Sequence, residues 1–164
     1  MEIRKAKKED IPEILSIYEQ ARVFMRQQGN YSQWTGAYPG EETVLEDIAR
    51  GESYLCVEEE EILGVFCFFC RPDPTYAKIY DGAWLNEEPY GAIHRIAVRA
   101  HRRGVPAFCY AYALEHCTNL RIDTHRDNIP MQRSLAKNGF TYCGVIHLAN
   151  GDPRIAFQKK KDTI

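Results

Sequence analysis

The 164-residue chain has no long hydrophobic run. Its purely apolar stretches stop after a handful of residues, far short of the ~20 that span a bilayer, which argues against a membrane protein. The opening Met1-Glu2-Ile3-Arg4-Lys5 lacks the apolar segment of a secretory signal, so the expected compartment is the cytoplasm. An excess of either charge is also missing. Lys+Arg number 21 against 23 Asp+Glu, a net charge of −2, so no global field draws the protein to nucleic acid or a lipid surface. Repeats, low-complexity tracts and linkers are absent, and residues 1–164 read as one domain, large enough to bury a core without a metal or disulfide. With 45% hydrophobic and 27% charged residues, the composition is that of an ordinary globular protein, which excludes disorder.

The six cysteines offer one CxxC, Cys67-Phe68-Phe69-Cys70, and no second pair to complete a zinc site. Residues 62–70 read as a strand, which puts the two thiols on opposite faces, with no helix start to activate either. All six are expected to be reduced core residues, and no metal is expected.

Periodicity and turn chemistry divide the chain. Residue Ile3 lies in a short opening strand, and Asp10-Ile11-Pro12-Glu13 reads as a capping box opening a helix that runs to about Gln28. An aromatic loop follows, containing Tyr31, Trp34 and Tyr38. A shorter helix spans 41–50, and strands at 53–58 and 62–70 flank an acidic turn read as a solvated tip. Residues 71–88 form an excursion of undetermined structure, and 91–98 a strand. Residues 105–117 carry only Glu115 and His116 as charged or titratable polar groups, the pattern of a helix buried nearly all round. A strand at 120–124, a helix from Asp127-Asn128 to Gly139, and a hairpin of 141–148 with 153–159 complete an α/β fold with a mixed sheet.

From Gly91 to Leu114 there are four arginines, two histidines and no acid, and the basic part ends at Gly104, where the 105–117 helix starts. Free N–H groups at a helix start, with arginines beside them, make an anion site. By itself the run reads equally well as a solvated basic loop.

The wider pattern resembles the GNAT acetyltransferase superfamily. Its motif A is similar to Ile93-His94-Arg95-Ile96-Ala97-Val98 followed by His101-Arg102-Arg103-Gly104-Val105-Pro106-Ala107 and a helix. Motif B is similar to the segment from Asp127-Asn128 to Asn138-Gly139-Phe140. The run from Ile122 to Gly144 resembles an uncharacterised bacterial branch, and segment order agrees across the chain. The resemblance implies a mostly antiparallel mixed sheet flanked by helices, with a splayed central strand pair in which the strand at Ile93–Val98 carries a bulge. It also implies acetyl-CoA as co-substrate: its pyrophosphate at Arg102, Arg103, Gly104, Val105, Pro106 and Ala107, its pantetheine arm along Ile96, Ala97 and Val98, and Asn128 as the motif B asparagine. Pro106 offers no N–H, and His101 stands where Gln or Arg is usual.

Chemistry then needs a base and, less urgently, an acid. His94 is the candidate base, matching a histidine of arylalkylamine-type members, with a packing histidine as the alternative. The family's tyrosine acid lies seven residues after its asparagine, which here is Leu135. Tyr142 is the weak substitute, and a thiol of pKa ~8.5 leaves with little help. His125 and His147 are weaker base candidates, and His116 and His101 read as surface positions. Trp34, Tyr38 and Tyr31 are candidate acceptor-binding residues, with loop packing as the alternative; Trp84 and Tyr90 invite the same hypothesis. The expected function is N-acetyl transfer from acetyl-CoA to a primary amine of a small molecule by direct attack. The alternatives are a protein N-terminal or lysine acetyltransferase and a catalytically silent acyl-CoA-binding module. A second copy of the chain is the candidate protein partner.

Overall fold

The computed structural model describes residues 1–99 and 102–162; the motif residue His101 lies outside the described residues. The strands are β1 (Glu2–Lys5), β2 (Ser53–Glu58), β3 (Glu61–Phe69), β4 (Gly91–Val98), β5 (Asn119–Thr124), β6 (Thr141–His147) and β7 (Pro153–Lys160). The helices are α1 (Ile11–Gln27), α2 (Glu41–Ala49), α3 (Val105–His116) and α4 (Ile129–Lys137). The strands form one 7-stranded sheet in the order β1-β2-β3-β4-β5-β7-β6. Every neighbouring pair is antiparallel except β4 with β5.

Strand alternation sorts the side chains onto two faces. On one, α1 and α2 bury Ile14, Ile17, Tyr18 and Val44 against Leu55, Val65 and Ala97. On the other, α3 and α4 bury Tyr110, Ala113, Leu114 and Leu135 against Phe66, Phe68, Ile93, Ile122 and Phe157. The excursion between β3 and β4 returns to the first face, where Tyr76 packs on Ala92, Ile146 and Ala156. No helix among the described residues is long and apolar enough to cross a membrane.

The parallel pair is short. Strands β4 and β5 match only at Gly91↔Leu120 and Ala92↔Arg121, then part. Gly91 permits the close end: a Cβ there would lie 2.4 Å from Cys117 Sγ and 2.7 Å from Phe68. Just beyond, Val65 faces Ala97 while Cys67 faces His94, so β4 carries one extra residue. Arg95 takes up that bulge with φ 52°, and the buried Tyr18 hydroxyl donates to its carbonyl at 3.1 Å. Burial pushes the Tyr18 pKa up, so the phenol keeps its proton and remains a donor.

Several local expectations change. Asp10 does not cap α1 with its side chain; its carboxylate accepts from the Lys7 N–H and, at 2.8 and 2.9 Å, from Arg4. A charged guanidinium outcompetes the helix's own amides for that carboxylate. Helix α3 is not buried all round, because Ala107, Ala111 and Glu115 form an outward stripe that small side chains hid from the hydropathy pattern. The acidic turn is more than a solvated tip: Glu58 and Glu61 lie 2.8 and 3.7 Å from Arg102. All six cysteines are free, but Cys70, just past the end of β3, is exposed and Cys117 only half-buried. Burial pushes the Cys67 thiol up to about 12, in keeping with a packing role.

Candidate active site

Two clefts meet at the β4 bulge. The first, about 530 Å³, lies on the α1/α2 face under the excursion and is lined by Trp34, Tyr38, Asp73, His94, Asp123 and Arg154 among others. The second, about 980 Å³, runs along the parted edge of β4 between α1, α3 and α4, past Ile96, Ala97, Val98, Arg102, Pro106 and Asn128. Ile96 and Met131 line both. The bulge makes this possible. Unbroken alternation would put His94, Ile96 and Val98 on one face. Instead, the extra residue turns His94 to the first cleft while Ile96 and Val98 pack toward α3 and α4.

His94 is one half of a pair. Its Nε2 lies 2.6 Å from Asp73 Oδ2. A carboxylate can only accept, so Nε2 carries the hydrogen and Nδ1 is the nitrogen able to take a proton. No hydrogen-bond partner meets Nδ1 among the described residues. The ring is held between Phe69 and Tyr76, with centroids at 5.5 and 5.8 Å. Burial would raise the Asp73 carboxyl, but hydrogen bonds from His94 and Thr75 outweigh it and hold the group at about 2. The Asp73 N–H donates to the Tyr90 hydroxyl at 2.7 Å, and Tyr90 stacks on Arg121, whose other face meets Trp84. Trp84 and Tyr90 therefore serve the excursion and line neither cleft, because the nearly buried Arg121 guanidinium occupies the space between them.

The aromatic loop is built, not loose. Arg26 of α1 donates to the carbonyls of Asn30, Gln33 and Trp34 at 2.9, 2.8 and 2.7 Å. Trp34 meets Tyr18 edge-on, and the Tyr38 hydroxyl accepts from Arg95, which is itself clamped by Asp47 at 2.7 and 3.0 Å. Tyr31 is exposed and lines neither cleft. Asn128 caps α4, accepting from the Met131 N–H at 3.2 Å, and its amide donates to Gln33 at 2.9 Å. The cap thereby ties the loop of the first cleft to the wall of the second.

At the start of α3, Gly104 is in the left-handed region with φ 78°, and a Cβ there would meet only Met1 Cε, at 3.9 Å. The space before the helix is open. Val105 is fully buried, backbone included, while Arg103 and Ala107 are exposed. Among the described residues, no group of three or more His, Cys, Asp or Glu side chains is placed to hold a metal ion.

The expected acid positions resolve as follows. Tyr142 is 53% exposed on β6, packs edge-on against Phe157 and lines neither cleft. It stands on the edge strand β6, with β5 and β7 between it and β4, and so lies away from the bulge. Leu135 is fully buried beneath α4. The hydroxyls lining the second cleft are instead Ser16, Ser134 and Tyr110, the last buried without a hydrogen-bond partner among the described residues. Leu135→Tyr, which restores the family's residue, should overpack the core rather than supply an acid. A cost of about 1–3 kcal/mol, a melting temperature lower by roughly 3–10 °C and no gain in turnover are expected from calorimetry and steady-state rates. His125, His147 and His116 line neither cleft; His147 stacks on Tyr80 at 4.8 Å.

No protein-family model matches the chain, and no curated protein matches it. Solved structures do. An acetyltransferase of the GNAT family from Streptococcus agalactiae 2603 is 30% identical, covers 99% of this chain and 96% of its own, and superposes with a TM-score of 0.90. A GNAT-family acetyltransferase from Listeria monocytogenes 4b F2365 shares the fold at 18% identity and a TM-score of 0.70, over 97% and 94% of the two chains. An aminoglycoside acetyltransferase, solved with coenzyme A and kanamycin, shares it at 16% identity and 0.65, over 96% and 93%. The parted β4–β5 pair, the bulge and this likeness over the whole length define the class: the chain belongs to the GNAT family of acetyltransferases.

Proposed function

We propose that the protein is a single acyltransferase domain that moves an acetyl group from acetyl-CoA to a primary amine of a small molecule, by direct attack. The observation carrying this reading is the meeting of the two clefts at Ile96 and Met131, beside His94 and Asp73. The second cleft fits the cofactor. Past Ala92 the β4 edge no longer pairs with β5, so the backbone of Ile96 and Val98 can bind an extended arm as an added strand would. Gly104 and the first amides of α3, with Arg103 and Arg102, suit a pyrophosphate, Arg102 exchanging Glu58 for it. Bound there, acetyl-CoA supplies the acetyl group as a thioester: the amine nitrogen bonds the carbonyl carbon, the C–S bond breaks, and CoA leaves as a thiolate.

The chain's own residues manage the amine. His94 Nδ1 takes the amine proton, and Asp73 fixes the ring's tautomer and steadies its positive charge. Trp34 and Tyr38 wall the acceptor cleft, whose volume of about 530 Å³ falls in the range of small-molecule sites. Thiol release from acetyl-CoA, measured with a panel of small amines beside short peptides, tests the reading. Turnover is expected with small amines; turnover with peptides alone would make it a protein acetyltransferase, and none with any amine would make it a silent binding module.

A further inference from the structure

Charge in the acceptor cleft is unevenly matched. Four arginines line it, and three are neutralised: Arg50 by Glu46, Arg71 by Glu52 and Arg95 by Asp47. The fourth, Arg154 on β7, has no carboxylate within 4.0 Å among the described residues; its Nη1 donates to the neighbouring Pro153 carbonyl at 2.8 Å. On the acid side, Asp73 is taken by His94, while Asp152 accepts from the neutral Asn150 amide at 3.2 Å and meets no cation within 4.0 Å among the described residues. Asp123 has no cation within 4.0 Å among the described residues. One of its oxygens accepts from the buried Tyr76 hydroxyl at 2.6 Å, and the other has no partner there.

The sheet sets these groups in a row. His94, Asp123 and Arg154 stand on three adjacent strands, β4, β5 and β7, on the same face. Asp123 faces Ala156 across the β5–β7 ladder, so Arg154, two residues away on β7, is its diagonal neighbour at ~7–8 Å. A small zwitterion spans the distance from this carboxylate to an extended guanidinium.

We propose that the acceptor carries a carboxylate next to its amine, as an amino acid does: Arg154 binds the carboxylate, while Asp123 draws the ammonium in beside His94. This assignment rests on the acetyl-transfer reading and narrows its substrate class. A guanidinium suits the task because it meets a carboxylate with two parallel hydrogen bonds.

The test compares matched acceptors, an amino acid and the amine left after its carboxyl is removed, by thiol release from acetyl-CoA. The amino acid is expected to have the higher kcat/KM, by about 10- to 100-fold, carried mainly by KM. Arg154→Gln should erase most of that ratio, and Arg154→Lys should restore part of it, with melting curves confirming that both variants fold. Equal rates for the two acceptors, or a preference for the decarboxylated amine, would overturn the carboxylate assignment alone and point to a cationic acceptor. A ratio unchanged in Arg154→Gln would remove Arg154 from the site. No thiol release with either acceptor, or with any amine in the wider panel, would overturn the acetyl-transfer reading and this assignment with it.

Discussion

Turnover of His94→Ala is expected to fall by about 10²–10⁴-fold, the usual worth of a positioned general base, with little change in CoA affinity. The affinity should hold because His94 faces the first cleft, while the proposed phosphate site lies at the start of α3. The pH profile gives the sharper readout. An acid limb that belongs to the general base should vanish in the variant. Asp73 cannot produce the limb: held at about 2, it remains a carboxylate throughout any practical assay range. Asp73→Asn should also cut kcat, because an amide neither fixes the tautomer nor balances imidazolium charge. Wild-type turnover and an unaltered profile in His94→Ala would make the residue a packing group between Phe69 and Tyr76.

Gly104→Asp should reduce CoA affinity by at least about 100-fold, to below detection by calorimetry. The new carboxylate would stand in the open space before α3, where an anion is to be received. Misfolding is not the expected cause. Aspartate is a favourable helix cap and tolerates the left-handed backbone better than most residues. Gly104→Ala, which adds the Cβ without charge, separates strain from repulsion and should bind more weakly than wild type but measurably. Unchanged affinity in a folded Gly104→Asp would move the phosphates elsewhere.

The sheet was largely legible in the residues. Periodicity and turn signals put the strands and helices within a residue or two of their places, because Gly51, Gly104, Gly139 and Gly151 all sit at ends where left-handed backbone is needed. A bulge in β4 was implied by the family resemblance, but its place was not legible in the residues. Its position depends on how β3 and β4 pair, a long-range match that leaves no local trace, and it decides which face His94 uses. Asp73 was missed for a related reason: it sits in an excursion of prolines and glycines without period, and only folding brings it to a histidine 21 residues away. Arg26, Asn30 and Gln33 likewise belong to no motif, although they hold the aromatic loop in place. Asp123 and Arg154 carry no local sign of a shared site, since their adjacency comes from β7 inserting between β5 and β6.

The most direct test is a crystal structure of the protein with acetyl-CoA bound. The account predicts phosphates at Gly104 and the first amides of α3, a pantetheine arm along Ile96 and Val98, and the sulfur between Ile96 and Met131, with its acetyl group turned toward His94. A sulfur away from the junction of the two clefts, or an acetyl group with the α4 side chains between it and His94, would contradict it.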